Sequence, residues 1–307
     1  MKVYLGSQFH PDAVKWLHSV ATVVDNFDQI EELDGIIIRA GGITRDMFER
    51  GKNLKAVGRH GVGYDTIDLK AAKEHNVRVL NVPFGNSNSV AEMIVARFME
   101  MSRNLYKANQ MLRHGDVTRI APPELQGTEI SGKVLGLIGM GNIAQRAAKM
   151  MKKAFSVDVC GYDPFVDVAE ASRRGIRKVD TIEELLEQSD LVNISVALTP
   201  ETKHMISGDI FNHFKPDAIL VNTARGGIVD EEDLYQALVT GKLRAAAFDV
   251  FEHEPLAVDS KLLGLDNFSA TPHIGGTTAE AVKRTSMAIC ENVVKVIKGE
   301  PAEGIVV

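Results

Sequence analysis

The chain has 307 residues, 45% of them hydrophobic, and its 41 acidic against 35 basic side chains give a formal charge of −6. That length can bury a large core and accommodates two domains. Lysine and arginine are dispersed rather than clustered, so nothing in the composition points to nucleic acid or an anionic membrane, and no apolar run approaches the ~18 residues of a membrane span.

Residues 1–6 read as a short strand rather than a signal peptide, which makes the cytoplasm the expected compartment. Apolar runs at 2–5, 21–24, 35–38, 56–58 and 77–80 alternate with helical stretches such as 67–74, the pattern of a parallel sheet covered by helices. Residues 87–113 predict one long helix capped at Asn86 or Ser87. The stretch 105–126, with Gly115, Pro122 and Pro123, fits neither domain and reads as an irregular segment, either a protruding arm of the kind that packs on a second subunit or, equally, a plain surface loop. A second series of strands starts at 133 and continues at 157–162, 191–196, 218–221, 245–248 and 268–270. Its helices carry their own punctuation: Thr181 with Glu184 as a capping box, Asp230 ahead of 231–239, and Gly241 at a C-terminal position. Residues 278–298 predict a last long helix closed by Gly299. Cys160 lies in a predicted strand and Cys290 in a predicted helix, with no spacing for zinc or a disulfide framework; both read as small core residues.

The expected fold is therefore α/β, two doubly wound parallel-sheet domains of Rossmann-like or flavodoxin-like type. Residues 1–100 and 278–307 would form a discontinuous substrate domain around a nucleotide-binding domain at 101–277.

The nucleotide assignment comes from Gly139-Met140-Gly141-Asn142-Ile143-Ala144, a G-x-G-x-x-A loop between an apolar strand and an Ala- and Lys-rich helix. Gly139 can take a backbone angle closed to other residues, Gly141 lets the main chain touch a pyrophosphate, and a helix starting near Asn142 and Ile143 turns its free N–H groups on the phosphates. Asp163 follows at the end of the next strand, 163 − 141 = 22 residues beyond the second glycine. An acid at that distance binds the adenosine ribose hydroxyls and repels a 2′-phosphate, which favours NAD over NADP.

Three polar residues follow in separate motifs: Arg225 in Asn222-Thr223-Ala224-Arg225-Gly226-Gly227, Glu254 in Phe251-Glu252-His253-Glu254-Pro255, and His273 in Thr271-Pro272-His273-Ile274-Gly275-Gly276. A guanidinium, a carboxylate and an imidazole are the groups needed to grip a 2-oxo acid and protonate its ketone. No metal site is indicated.

With these motifs, and with the blocks at 57–68, 85–92 and 198–202, the chain resembles the D-isomer-specific 2-hydroxyacid dehydrogenases from about Leu33 onward. The resemblance implies a catalytic domain split around a Rossmann domain, with the active site in the cleft between them. Arg225 would hold the substrate carboxylate and polarise the adjacent carbonyl. His273 would give the ketone a proton, and Glu254 would bond the other ring nitrogen and stabilise the imidazolium. Asp249 would bind the nicotinamide carboxamide, Thr223 and Ala224 would line the nicotinamide site, and Gly275 with Gly276 would let backbone approach the cofactor. Val196 and Ala197, where many members have a His-x-Pro turn, and Thr202 would flank the adenine.

The turn His60-Gly61-Val62-Gly63 would offer N–H groups to the substrate carboxylate. Arg59, in a block resembling that of the 3-phosphoglycerate dehydrogenases, would meet a substrate phosphate, assisted by Arg39 or Arg119. The expected activity is NAD-dependent oxidation or reduction between 3-phosphoglycerate and phosphohydroxypyruvate, in a short-form enzyme that is a homodimer. A glyoxylate, hydroxypyruvate or other 2-oxo acid reductase stays open, since His60, Tyr64 and Ser195-Val196-Ala197 depart from the usual residues. So does an NAD(H)-sensing corepressor acting through protein partners.

Overall fold

Short runs of Val, Ile, Leu and Ala become the inner strands because both faces of these are buried, so neither side needs polar residues. In the computed structural model, which describes residues 1–307, the chain forms two units, one made of residues 1–89 and 276–307 and the other of residues 90–275.

In the first unit, strands β1 (Lys2–Leu5), β2 (Thr22–Val24), β3 (Gly35–Ile38), β4 (Ala56–Arg59) and β5 (Arg78–Leu80) form a parallel sheet in the order β2-β1-β3-β4-β5. Helices α1 (Pro11–Val20), α2 (Arg45–Arg50) and α3 (Leu69–Glu74) and the C-terminal helix Ala279–Lys298 belong to it. The C-terminal helix lies directly on β3 and β4, with Ile289, Val293 and Ile297 in the core it shares with them. Gly58 makes that approach possible: a Cβ there would stand 2.5 Å from Val293 and 2.8 Å from Ile289. The tail 304–307 runs antiparallel along β5, Val306 N–H donating to Val79 and Asn81 N–H to Gly304, which covers an otherwise open edge. The helix expected at 67–74 starts at Leu69, because Asp68 caps it by accepting the Ala71 N–H at 2.8 Å.

The chain leaves this unit in the first turn of α4 (Ser87–Ser102). In the second unit α5 (Leu105–His114), β6 (Val134–Ile138), α6 (Asn142–Phe155), β7 (Asp158–Tyr162), α7 (Val168–Arg173), β8 (Arg177–Lys178), α8 (Ile182–Gln188), β9 (Leu191–Ile194), β10 (Ile219–Asn222), α9 (Glu231–Val239), β11 (Ala245–Phe248) and β12 (Phe268–Ala270) follow in order; the C-terminal helix is α10. The sheet is parallel throughout, in the order β12-β11-β10-β9-β6-β7-β8. Strands β9, β10 and β11 are buried along their whole length. The chain moves outward from β6 to β8 and then returns to the other side of β6 at β9, so the order reverses between β6 and β9. Ligands of open α/β sheets bind outside the carboxyl ends of the strands at such a reversal.

Two expectations need correction. The single helix at 87–113 is broken after Ser102 by Asn104, which takes the left-handed conformation at φ 51° and donates its side-chain amide to Gln126 at 3.1 Å. Asparagine accepts that conformation more readily than most residues. The arm 105–126 accordingly begins with α5, an amphipathic helix with no buried residue, rather than being irregular throughout. Strand β8 was not expected, since two charged residues at a sheet edge carry no apolar signature.

Candidate active site

The reversal point is occupied by the glycine loop. Gly139 has φ 90°, and a Cβ there would meet Ser195 O at 2.7 Å and Val196 at 2.8 Å, so the loop after β6 lies directly against the segment after β9. No larger residue satisfies both the angle and the space. Gly141 caps α6 and has open space where its side chain would be. The first turn of α6 thus presents peptide N–H groups and the positive end of a 14-residue helix beside a bare stretch of backbone, which suits a pyrophosphate. Asp163, at the end of β7, accepts the Met140 N–H at 2.9 Å with one oxygen and the Phe165 N–H at 3.0 Å with the other. Each oxygen keeps one lone pair for a ribose hydroxyl. These features fit the adenosine and phosphate portions of a dinucleotide.

Arg225, Glu254 and His273 stand in the loops after β10, β11 and β12, three adjacent strands of one sheet. His273 Nδ1 lies 2.8 Å from Glu254 Oε2. An ionised carboxylate can only accept, so Nδ1 carries the hydrogen and Nε2 is left to give or take a proton. Glu254 is fixed in turn by the Phe251 N–H, which donates to its other oxygen at 3.1 Å. Burial acts most strongly on Glu254 and opposes its charge. The His273 hydrogen bond and charge, the Phe251 N–H and the Arg225 guanidinium together outweigh it and hold the carboxyl below its ordinary 4.5. Arg225 is therefore close enough to feel the pair.

Backbone contact sets the spacing of these loops. A Cβ on Gly226 would lie 1.9 Å from Phe251 C and O, so the turn carrying Arg225 abuts the segment carrying Glu254. Asn222, 1% exposed, braces that turn by accepting the Ala224 N–H and donating to Arg225 O. His273 is held in the left-handed region at φ 54°. Asp249 secures it: the Asp249 carbonyl accepts the His273 N–H at 2.8 Å, and its carboxylate accepts Ile274 N–H at 2.9 Å, Gly275 N–H at 2.7 Å and the Thr271 hydroxyl at 2.6 Å. Oδ1 is thereby filled, whereas Oδ2 retains a lone pair for an amide donor.

Other expected residues have local partners of their own. The Thr202 hydroxyl donates to Ala197 O at 2.6 Å and accepts the Thr199 N–H, closing the 197–202 loop. Gly276 lies in the first unit, where a Cβ would come within 2.7 Å of Asn86 Nδ2. Also in that unit, the His60 N–H donates to Ile38 O at 2.8 Å, leaving Gly61, Val62 and Gly63 as the N–H donors of the turn. The His60 ring is buried, with Nε2 3.1 Å from Ser286 Oγ and its plane nearly perpendicular to the Phe9 ring. Arg59 donates to Gly41 O, and Arg39 to Gln8 O and Thr277 Oγ1. Arg119 pairs with Glu124 inside the arm. The sequence reading missed Asn222 and Thr271; a short polar side chain at a strand end ahead of a tight turn was the available signal for both.

Residues 95–275 match the family model described as "D-isomer specific 2-hydroxyacid dehydrogenase, NAD binding domain". The chain is 40% identical over 315 residues to D-3-phosphoglycerate dehydrogenase of Methanocaldococcus jannaschii, covering 100% of this chain and 59% of that one. It thus spans about three fifths of that relative's length. It is 41% identical over 269 residues to hydroxypyruvate reductase of Thermotoga maritima, covering 87% of this chain and 85% of the relative. Among solved structures, the TT0316 protein of Thermus thermophilus superposes with a TM-score of 0.90 at 29% identity over the whole of both chains.

Proposed function

The chain belongs to the D-isomer specific 2-hydroxyacid dehydrogenase family and carries its NAD-binding domain, and on that premise we propose that it interconverts a 2-hydroxy acid and its 2-oxo acid. The observation that carries this reading is the Glu254–His273 pair beside Arg225, on neighbouring loops of the sheet that holds the glycine loop. Gly139, Gly141, the first turn of α6 and Asp163 would hold the phosphates and adenosine ribose, and the free lone pair of Asp249 would take the nicotinamide amide. When bound, NADH supplies the hydride.

The chain's own residues do the rest. Arg225 offers a planar fork that grips both carboxylate oxygens and draws electron density from the neighbouring carbonyl. His273 Nε2 gives its proton to the ketone oxygen and recovers it in the oxidation direction. Glu254 keeps the ring in the tautomer that does so and balances the imidazolium charge.

For the substrate, 3-phosphoglycerate and phosphohydroxypyruvate are the leading pair. Arg39 directly follows β3 and Arg59 ends the adjacent strand β4, and two guanidinium groups suit a phosphate dianion. The equally similar hydroxypyruvate reductase, matched over most of its length, favours hydroxypyruvate as the second reading. The arm's exposed Leu105, Leu112 and Ile120 support a homodimer, and two free buried cysteines suit the cytoplasm.

The test is NADH oxidation with phosphohydroxypyruvate, hydroxypyruvate and glyoxylate, in wild type and Arg59→Ala. Phosphohydroxypyruvate should be preferred by wild type and lose roughly tenfold or more in kcat/KM in the variant, hydroxypyruvate much less. Equal losses on both would remove the phosphate assignment.

A further inference from the structure

We propose that Arg97 is a positioning residue for the His273 loop, acting through Thr271 and Asp249; the inference rests on reading His273 as the proton donor. Arg97 is 5% exposed, on the stretch of α4 whose other buried residues include Val90, Ala91, Ile94, Phe98 and Met101. A charge in such surroundings must be paired and hydrogen-bonded. Glu100, one turn along, accepts from Nη1, and the remaining bonds cross to the sheet. Nη1 donates to Ser269 Oγ at 3.1 Å. Nη2 donates to Phe248 O at 3.3 Å, Ser269 O at 3.2 Å and Thr271 Oγ1 at 3.3 Å.

Those acceptors are the last residue of β11, the middle residue of β12 and the first residue beyond β12, and the Asp249 and His273 segments follow these strands directly. The direction of the relay is fixed by chemistry. A guanidinium only donates and a carboxylate only accepts, so the single Thr271 hydroxyl proton must point to Asp249 while its oxygen receives Arg97. Asp249, 2% exposed, then holds the peptide groups of His273, Ile274 and Gly275. One continuous path, from guanidinium to hydroxyl to carboxylate to the Ile274 peptide, ends beside His273, whose own N–H is held by the Asp249 carbonyl, and so clamps it in a left-handed conformation that a non-glycine residue would otherwise leave.

A buried ion pair is a weak stabiliser compared with apolar packing of the same volume. Helix-to-sheet attachment alone would be served by a Met or Leu at this position. What Arg97 adds is a bonded connection to the strand ends that carry the site.

Thr271→Val, Thr271→Ser, Arg97→Met and the Thr271→Val/Arg97→Met double variant test this, with NADH and the 2-oxo acid that wild type reduces fastest. Thr271→Val and Arg97→Met should each lower kcat about tenfold or more while KM for NADH moves less than about twofold. The double variant should be no worse than the poorer single one, and Thr271→Ser, which restores the hydroxyl, should return to within about threefold of wild type. A lowered melting temperature with wild-type kcat in the single variants, or losses that multiply in the double, would overturn the positioning role. If Arg97→Met does not fold, the near-isosteric Thr271→Val and its Ser rescue decide alone. An inactive His273→Ala beside a fully active Thr271→Val overturns only this inference. Absence of turnover in wild type on every 2-oxo acid overturns the dehydrogenase reading beneath it.

Discussion

Glu254 shows how the site sets a single charge: burial opposes ionisation, and His273, the Phe251 N–H and Arg225 together reverse the outcome. His60 is the opposite case. Burial, and after it the Arg39 charge, push its imidazole from 6.5 down to about 4. Between those values the unfolded chain takes up a proton that the folded chain refuses. The stability this neutral histidine contributes is therefore complete above pH 6.5 and is withdrawn as pH falls toward 4, by roughly 3 kcal/mol across the window. The melting temperature of wild type should fall more steeply over that range than that of His60→Gln; parallel slopes would contradict the assignment. Gly226 makes a steric prediction. Because a Cβ there would overlap the Phe251 carbonyl at 1.9 Å, Gly226→Ala must push the Arg225 and Glu254 loops apart. Turnover should drop at least about tenfold with a stability loss of about 1–3 kcal/mol. A variant with wild-type kinetics would show that the loops tolerate the separation.

Helix α10 illustrates what punctuation accomplishes. Thr278 accepts the Ala281 N–H at 3.2 Å and Gly299 closes the other end at φ 77°. Thr278→Ala should cost about 1 kcal/mol in denaturant unfolding, and Thr278→Ser far less; an unchanged midpoint in the Ala variant would mean that the cap is dispensable. Boundaries of this kind were legible in the sequence, since Thr181, Asp230 and Gly299 each signal locally, as were the apolar strands buried on both faces. Elements defined by partners elsewhere in the chain were not. The break at Asn104 depends on Gln126, and β8 exists because β7 offers an edge to Arg177 and Lys178. Even the capping box differs in detail: Glu184 accepts the Asp180 N–H rather than that of Thr181. At the candidate site, the motifs around Arg225, Glu254 and His273 mark residues that the fold places on adjacent loops, whereas Arg97 reads as one more charge on a helix until its partners are known.

Across the chain, each unit is a parallel sheet whose loops at the carboxyl ends carry the polar residues, and the nucleotide loop sits where the larger sheet reverses its strand order. On the proposed reading, cofactor choice would follow from that placement, because Asp163 directly follows the strand next to the glycine loop. Asp163→Asn keeps an acceptor for the Met140 N–H but removes the charge that repels a 2′-phosphate, so the preference for NADH over NADPH should shrink by about tenfold or more. An unchanged ratio of the two dissociation constants would place the discrimination elsewhere. In the proposed mechanism His273, oriented by Glu254, moves the proton while the nucleotide site works independently of it. This is tested most directly by measuring kcat on the best 2-oxo acid and the NADH dissociation constant in wild type and His273→Ala. In the variant kcat should fall about a hundredfold or more, with NADH binding unchanged within about threefold. Wild-type turnover in the variant, or a loss confined to NADH binding, would contradict it.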